Sequence, residues 1–181
     1  MRTVLWRRID GNGFDRCTVS AGPDGHRITG TALFAADGVA HEIRYSVLTD
    51  AAWHTRTVGV SLSTSRGDRT LALSADGAGA WSAGDAPLID LFGAIDVDLA
   101  WTPATNILPV KRLALEPGQT ADISVVMLDH TDHEVHKANQ RYECLAPGRY
   151  RFSAGSFATE LLVDDEGLVT TYPGEWEAVA R

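Results

Sequence analysis

Nowhere does this chain run apolar for the ~18 residues that a membrane-crossing helix needs. Its first ten residues carry three arginines and lack the apolar stretch of a secretory signal. These absences predict a soluble, cytoplasmic protein without stable membrane anchoring. Cysteine is scarce too: Cys17 and Cys144 are the only two, far apart and in no CxxC spacing, which argues against a disulfide framework and predicts buried free thiols. Basic side chains number 16 against 24 acidic ones, a formal net charge of −8, which disfavours nucleic acid and anionic bilayer surfaces as partners. Helical periodicity is hard to find, and there is no internal repeat, low-complexity tract or linker. At 181 residues and 44% hydrophobic composition, one domain spanning 1–181 is expected.

What is present is a succession of short alternating or apolar runs. Candidate strands cover 4–9, 17–21, 30–35, 41–49, 55–63, 69–74, 80–82, 95–101, 108–115, 121–128, 141–145, 150–153, 157–163 and 168–172. Asp-Gly at Asp10, Asp24, Asp37 and Asp76 and Pro-Gly at Pro117, Pro147 and Pro173 mark hairpin-like connections. Two segments resist this reading: 85–93, which allows one helical turn at most, and 129–140, where a short helix over 133–141 is expected. So many strands with so little helix predict a mostly β fold, either a barrel, a sandwich or a strongly curved antiparallel sheet. Five apolar positions out of six in 123–128 predict a strand buried on both faces.

The densest chemistry lies in DVDLAWTPATNILPVKRL, residues 96–113. Strand periodicity sets Ile95, Val97, Leu99 and Trp101 on a core face and Asp96, Asp98 and Ala100 on the other. Read as a hairpin turning at Thr102–Asn106, the segment pairs Trp101 with Ile107, which sets Asp96 opposite Arg112 and Asp98 opposite Val110. The second face would then mix Asp96, Asp98, Leu108, Val110 and Arg112. Two readings remain open: Arg112 merely ties the hairpin together, or the charges form the polar end of an otherwise apolar pocket suited to an amphiphile.

Other groupings carry less. His130, His133 and His136 are interleaved with acidic residues, but their spacing drifts around a helix and no HExxH occurs, so no metal is assigned. The two aspartates could split their pKa values and act as acid and base. No GxSxG surrounds Ser61 or Ser156, and Gly77-Ala-Gly79 lacks the rest of a phosphate loop. Trp53, Trp81, Trp101 and Trp176, with Tyr45, Tyr142, Tyr150 and Tyr172, read as core rather than sugar platforms, Trp176 being the one expected to be partly exposed.

The stretch TPATNILPVKRL, preceded by Asp96-Val-Asp98-Leu99 and by Trp81, resembles the bacterial putative glycolipid-binding family, formerly a domain of unknown function. LWRRID near the start and RYECLAPGRYRFSAGSFATELLVDDEGLVTTYPGEWEAV near the end are similar to the family's terminal strands. The resemblance implies an incomplete β-barrel (a half-barrel) with a hydrophobic groove, similar to the lipoprotein-carrier folds of the bacterial envelope. It implies no catalytic set; Asp96, Asp98, Thr102, Thr105, Asn106, Pro109 and Arg112 are motif positions. The leading expectation is non-enzymatic binding of an amphiphilic small molecule or glycolipid, without cofactor, at Asp96, Asp98, Thr102, Asn106, Arg112, Leu108 and Val110. The alternatives are an enzyme acting on a small hydrophobic or sugar-bearing substrate through Asp96 and Asp98, and an interaction module that forms a homodimer through an edge strand.

Overall fold

The computed structural model describes residues 1–129 and 134–181. Fifteen strands run in chain order: β1 (Arg2–Arg8), β2 (Gly13–Gly22), β3 (Gly25–Ala36), β4 (Val39–Thr49), β5 (Thr55–Thr64), β6 (Gly67–Ala75), β7 (Trp81–Ala83), β8 (Ala86–Pro87), β9 (Asp96–Leu99), β10 (Thr120–Leu128), β11 (Val135–Ala146), β12 (Arg149–Ala154), β13 (Phe157–Val163), β14 (Val169–Tyr172) and β15 (Trp176–Ala180). All belong to one sheet, ordered β8-β7-β6-β5-β4-β3-β2-β1-β15-β14-β13-β12-β11-β10-β9. It is a large, mostly antiparallel sheet that does not close into a barrel. Two meanders, β1 to β8 and β9 to β15, meet where the first strand pairs with the last, Arg8 beside Trp176 and Leu5 beside Ala180.

Alternation along the strands explains the hairpins. In β4, Ile43, Tyr45 and Val47 are buried while Arg44 faces out. Its turn from β3 is the two-residue Asp37-Gly38, both at positive φ (50° and 71°), the backbone that a right-twisted hairpin favours. Val125 and Val126 are adjacent and both buried, so β10 is covered on both faces at that point.

The pairing of β9 with β10 is parallel, Asp96 beside Val125 and Leu99 beside Leu128. Parallel neighbours need a crossover. Residues 100–119 supply it, with a 3-10 turn at Pro103–Asn106 that runs into the helix α1 (Ile107–Leu113). Every residue from Trp101 to Val110 is buried. Leu99, Trp101, Ile107 and Leu108 join one apolar cluster with Val4, Trp6, Ile28 and Ile43 of the first meander. Val110, further along α1, joins Tyr142, Cys144, Tyr150, Phe152 and Leu161 of the second. The crossover thus packs against both halves of the sheet.

Several expectations are corrected here. Residues 108–115 form no strand. Thr102 caps the 3-10 turn through the Ala104 N–H (3.0 Å), with Pro103 in its first position, and Lys111 and Arg112 lie at the helix C-terminus, where cations are favoured. Leu108 therefore shares no mixed strand face with Val110, and Asp98 does not face Val110. The helix expected over 133–141 is strand β11 from Val135 onward; His133 lies outside the described residues. Strands β8 and β15 were not expected, and Trp176 is 4% exposed rather than partly exposed. Both cysteines are free and buried. No helix among the described residues is long and apolar enough to cross a membrane.

One close approach fixes how deeply Tyr45 can reach inward. Gly30, its neighbour across the β3–β4 ladder, lies so near that an added Cβ would come within 2.2–2.6 Å of the Tyr45 ring and hydroxyl. Gly30→Ala should destabilise the fold by about 1–3 kcal/mol, the usual cost of forcing an extra methyl into a filled interior. Chemical denaturation checks this, and an unchanged midpoint would show that Tyr45 can yield.

Candidate functional site

The residues singled out in 96–113 assemble as three small polar clusters around the 3-10 turn. In the first, Asp96, with no exposed area, accepts from Arg112 Nε on Oδ1 (3.0 Å) and Nη2 on Oδ2 (2.6 Å). The pair expected from a hairpin register is present, but Arg112 reaches it from α1. Burial pushes the Asp96 carboxyl upward in pKa against the pull of the guanidinium.

The second cluster hangs on Asp15 of β2, a residue sequence reading passed over. Tyr45 Oη donates to its Oδ2 at 2.6 Å, and the Thr102 hydroxyl donates to the same oxygen. Oδ1 is buried and makes no hydrogen bond among the described residues. Burial raises this carboxyl to about 6, despite the bonds from Thr102 and Tyr45. The only sequence signal was an aspartate alternating in phase with Cys17, on the inward face of a strand.

The third cluster surrounds Asp98. Thr105 donates its hydroxyl to Oδ1 (3.3 Å) while accepting the Leu99 N–H (3.2 Å), and Gln140 Nε2 donates to Oδ2 (2.5 Å). Burial raises the Asp98 carboxyl, opposed by the bonds from Gln140 and Thr105, and neighbouring Asp96 adds to the rise. Asn106 is held at both ends, its Nδ2 donating to the Pro103 carbonyl (3.2 Å) and its Oδ1 accepting from Tyr142 Oη (2.8 Å).

Beside this turn a cavity of about 250 Å³ opens. Asp98, Thr102 and Asn106 form its polar side; Phe152, Phe157, Tyr172 and Trp176 form its aromatic side, and Glu175 also borders it. Phe152, Phe157 and Tyr172 form a triangle with centroids 6.1–6.2 Å apart. Three of the seven expected site residues therefore share one pocket. Asp96 is sealed off, Leu108 lies in the core, and Val110 borders a different depression with Lys111 and Tyr150. A larger and more open depression, about 580 Å³, lies over the exposed Asp122–Arg141 ion pair and includes none of the seven. Sequence reading missed the aromatic side because its members come from β12, β13, β14 and β15, up to 24 residues apart in sequence, from Phe152 to Trp176.

No group of three or more His, Cys, Asp or Glu among the described residues is placed to hold a metal ion. His136 is exposed on β11; His130 and His133 lie outside the described residues.

The chain matches the family described as putative glycolipid-binding over residues 3–178. It is also similar to a crystal structure of a DUF1089 family protein from Pseudomonas aeruginosa: 31% sequence identity, a TM-score of 0.83, and coverage of 90% of this chain and 91% of that one. No protein of curated function matches.

Two outcomes are expected. Arg112→Ala strands a fully buried carboxylate and should cost about 3–5 kcal/mol, whereas the Asp96→Asn/Arg112→Met double variant should recover much of that loss; urea denaturation of the three proteins measures both. For Asp15, a folded-state pKa above the unfolded value means that the native state binds the extra proton, so its ionisation costs stability as pH rises from about 4 through 6. Asp15→Asn should therefore melt higher than wild type at pH 7.5, with the difference shrinking toward pH 4; a difference independent of pH would sink this assignment.

Proposed function

The chain belongs to the putative glycolipid-binding family, and we propose that it holds the head group of an amphiphilic, glycolipid-type ligand in the aromatic pocket beside Asp98. The observation that carries this reading is the pairing of unlike walls. A triangle of rings with Trp176 next to it lines the same pocket as Asp98 of β9 and Thr102 and Asn106 of the 3-10 turn. Rings supply broad apolar contact to the C–H face of a sugar, while Asp98 accepts from its hydroxyls and Asn106 and Thr102 help orient it.

Size sets where the rest of the ligand goes. At about 250 Å³ the pocket is smaller than the roughly 300–1,000 Å³ of sites that swallow a whole drug-sized molecule. The interior beside it is filled by Leu99, Ile107 and Leu108. The hydrocarbon tail therefore leaves the pocket past Phe157, which is 40% exposed, gaining up to about 0.8 kcal/mol for each CH₂ fully covered. Asp96 does not face this pocket, and both its oxygens are engaged by Arg112, so an acid/base pair of Asp96 and Asp98 is not assembled on it.

Native mass spectrometry with n-octyl glucoside, and separately with a bacterial lipid extract, tests the reading. A one-to-one adduct is expected, weakened about tenfold in Tyr172→Ala, the effect of losing roughly 1.4 kcal/mol of contact. Absence of any adduct from both sources would remove the basis for a ligand site here.

A further inference from the structure

We infer that the head group this pocket selects carries a cationic nitrogen, as an amino sugar or an ammonium amphiphile does, in preference to a neutral sugar and against a phosphate. The inference rests on the pocket being the ligand site and adds the charge of what enters it.

The argument starts from what is missing around Asp98. Both its oxygens accept from neutral donors, the Thr105 hydroxyl and the Gln140 amide, and among the described residues no cationic side chain is bonded to it. The guanidinium nearby is committed elsewhere: Arg112 is held by Asp96 through two hydrogen bonds. Glu175 brings a second carboxylate to the same cavity, and no lysine or arginine is among the side chains that border it. A half-buried carboxylate at Asp98 with an exposed one at Glu175 opposes an anionic head group and leaves room for a counter-charge.

The rings point the same way. Phe152, Phe157 and Tyr172 sit 6.1–6.2 Å from one another, a spacing that lets one ammonium lie within about 6 Å of several ring centroids at once, where the negative faces of the rings attract it. Trp176 already behaves in this manner on its own account, with the Arg8 guanidinium carbon 5.5 Å from its ring centroid; Arg8 does not border the pocket and is itself tied to Asp10. A neutral sugar would use the ring faces and the hydrogen-bonding groups but not the field between the two carboxylates. A separate cavity that α1 does line, with Ile107, Lys111, Arg2 and Glu166 on its walls, has the mixed charge that the Asp98 pocket lacks.

Four n-octyl compounds of equal tail length, each below its micellar concentration, separate the cases by isothermal titration calorimetry: octyl glucosaminide, octyltrimethylammonium, octyl glucoside and octyl phosphate. At an ionic strength of about 0.15 M, general attraction to the acidic protein is reduced because the Debye length is about 8 Å. At least one of the two cationic compounds should bind about tenfold or more tighter than octyl glucoside, with octyl phosphate weakest; the glucosaminide and trimethylammonium arms distinguish an amino sugar from a quaternary ammonium. Asp98→Asn should erase most of that preference, weakening the cationic compounds by a larger factor than octyl glucoside. Glu175→Gln, at an exposed position, should reduce the preference severalfold even if Asp98→Asn folds poorly. Equal or tighter binding of octyl glucoside or octyl phosphate, or a cation preference untouched by Glu175→Gln and by a folded Asp98→Asn, overturns the inference and leaves the ligand site standing. If none of the four binds, the pocket is not a ligand site and both readings fall.

Discussion

Residues from both halves of the fifteen-stranded sheet meet in one buried cluster, and the space between them has to be filled because protein interiors do not tolerate voids. The crossover between β9 and β10 meets that constraint. It lays ten consecutive buried residues, Trp101 to Val110, against both meanders. Putting backbone and polar side chains where only apolar groups would be free of cost then demands partners for each of them. Thr102, Thr105 and Asn106 each both donate and accept, and Asp96 takes a guanidinium with it. The signature segment is thus first a way of making an interior plug hydrogen-bonded, and the pocket lies along its margin.

This order of causes explains why one segment carries both structure and candidate chemistry. Asp98 is oriented by the same turn that fills the interior, because Thr105 spans from the Leu99 N–H to its carboxylate. Side chains locked in this way are suited to recognition, since little is left to order when a ligand arrives. Asp96, two residues earlier, shows the contrary outcome: the same alternation that presents Asp98 to the cavity buries Asp96 under Arg112, where it can stabilise or destabilise the fold but cannot touch a ligand.

The β character and most of the strands were legible because alternation and Asp-Gly turns are local signals, as in β3 and β4 around Asp37-Gly38. The helix was not read, although its marks were present: Thr102 before Pro103 is a capping pair, Pro109 argues against a strand, and Lys111-Arg112 suits a helix end. Ile107, Leu108 and Val110 outweighed them, because a short apolar run fits a buried strand as well as a buried turn of helix. The Asp96–Arg112 pair was expected from a hairpin register that the structure does not contain; it forms because α1 carries Arg112 back over β9. The aromatic side of the pocket was illegible for a different reason. Its residues come from separate strands, and only the meander's register brings them together.

The strand order also gives the end of the chain an unusual importance. Because β15 lies between β1 and β14, the last strand belongs to the middle of the sheet, where Trp6 and Trp176 pack in the same buried cluster and the Trp6 indole N–H reaches the Val169 carbonyl at 2.7 Å. Each meander pairs near neighbours, whereas the β1–β15 ladder joins strands more than 160 residues apart, the largest sequence separation in the sheet. Proteolytic loss of the final strand would therefore divide the molecule into two half-sheets, each with a new unpaired edge and an uncovered apolar face.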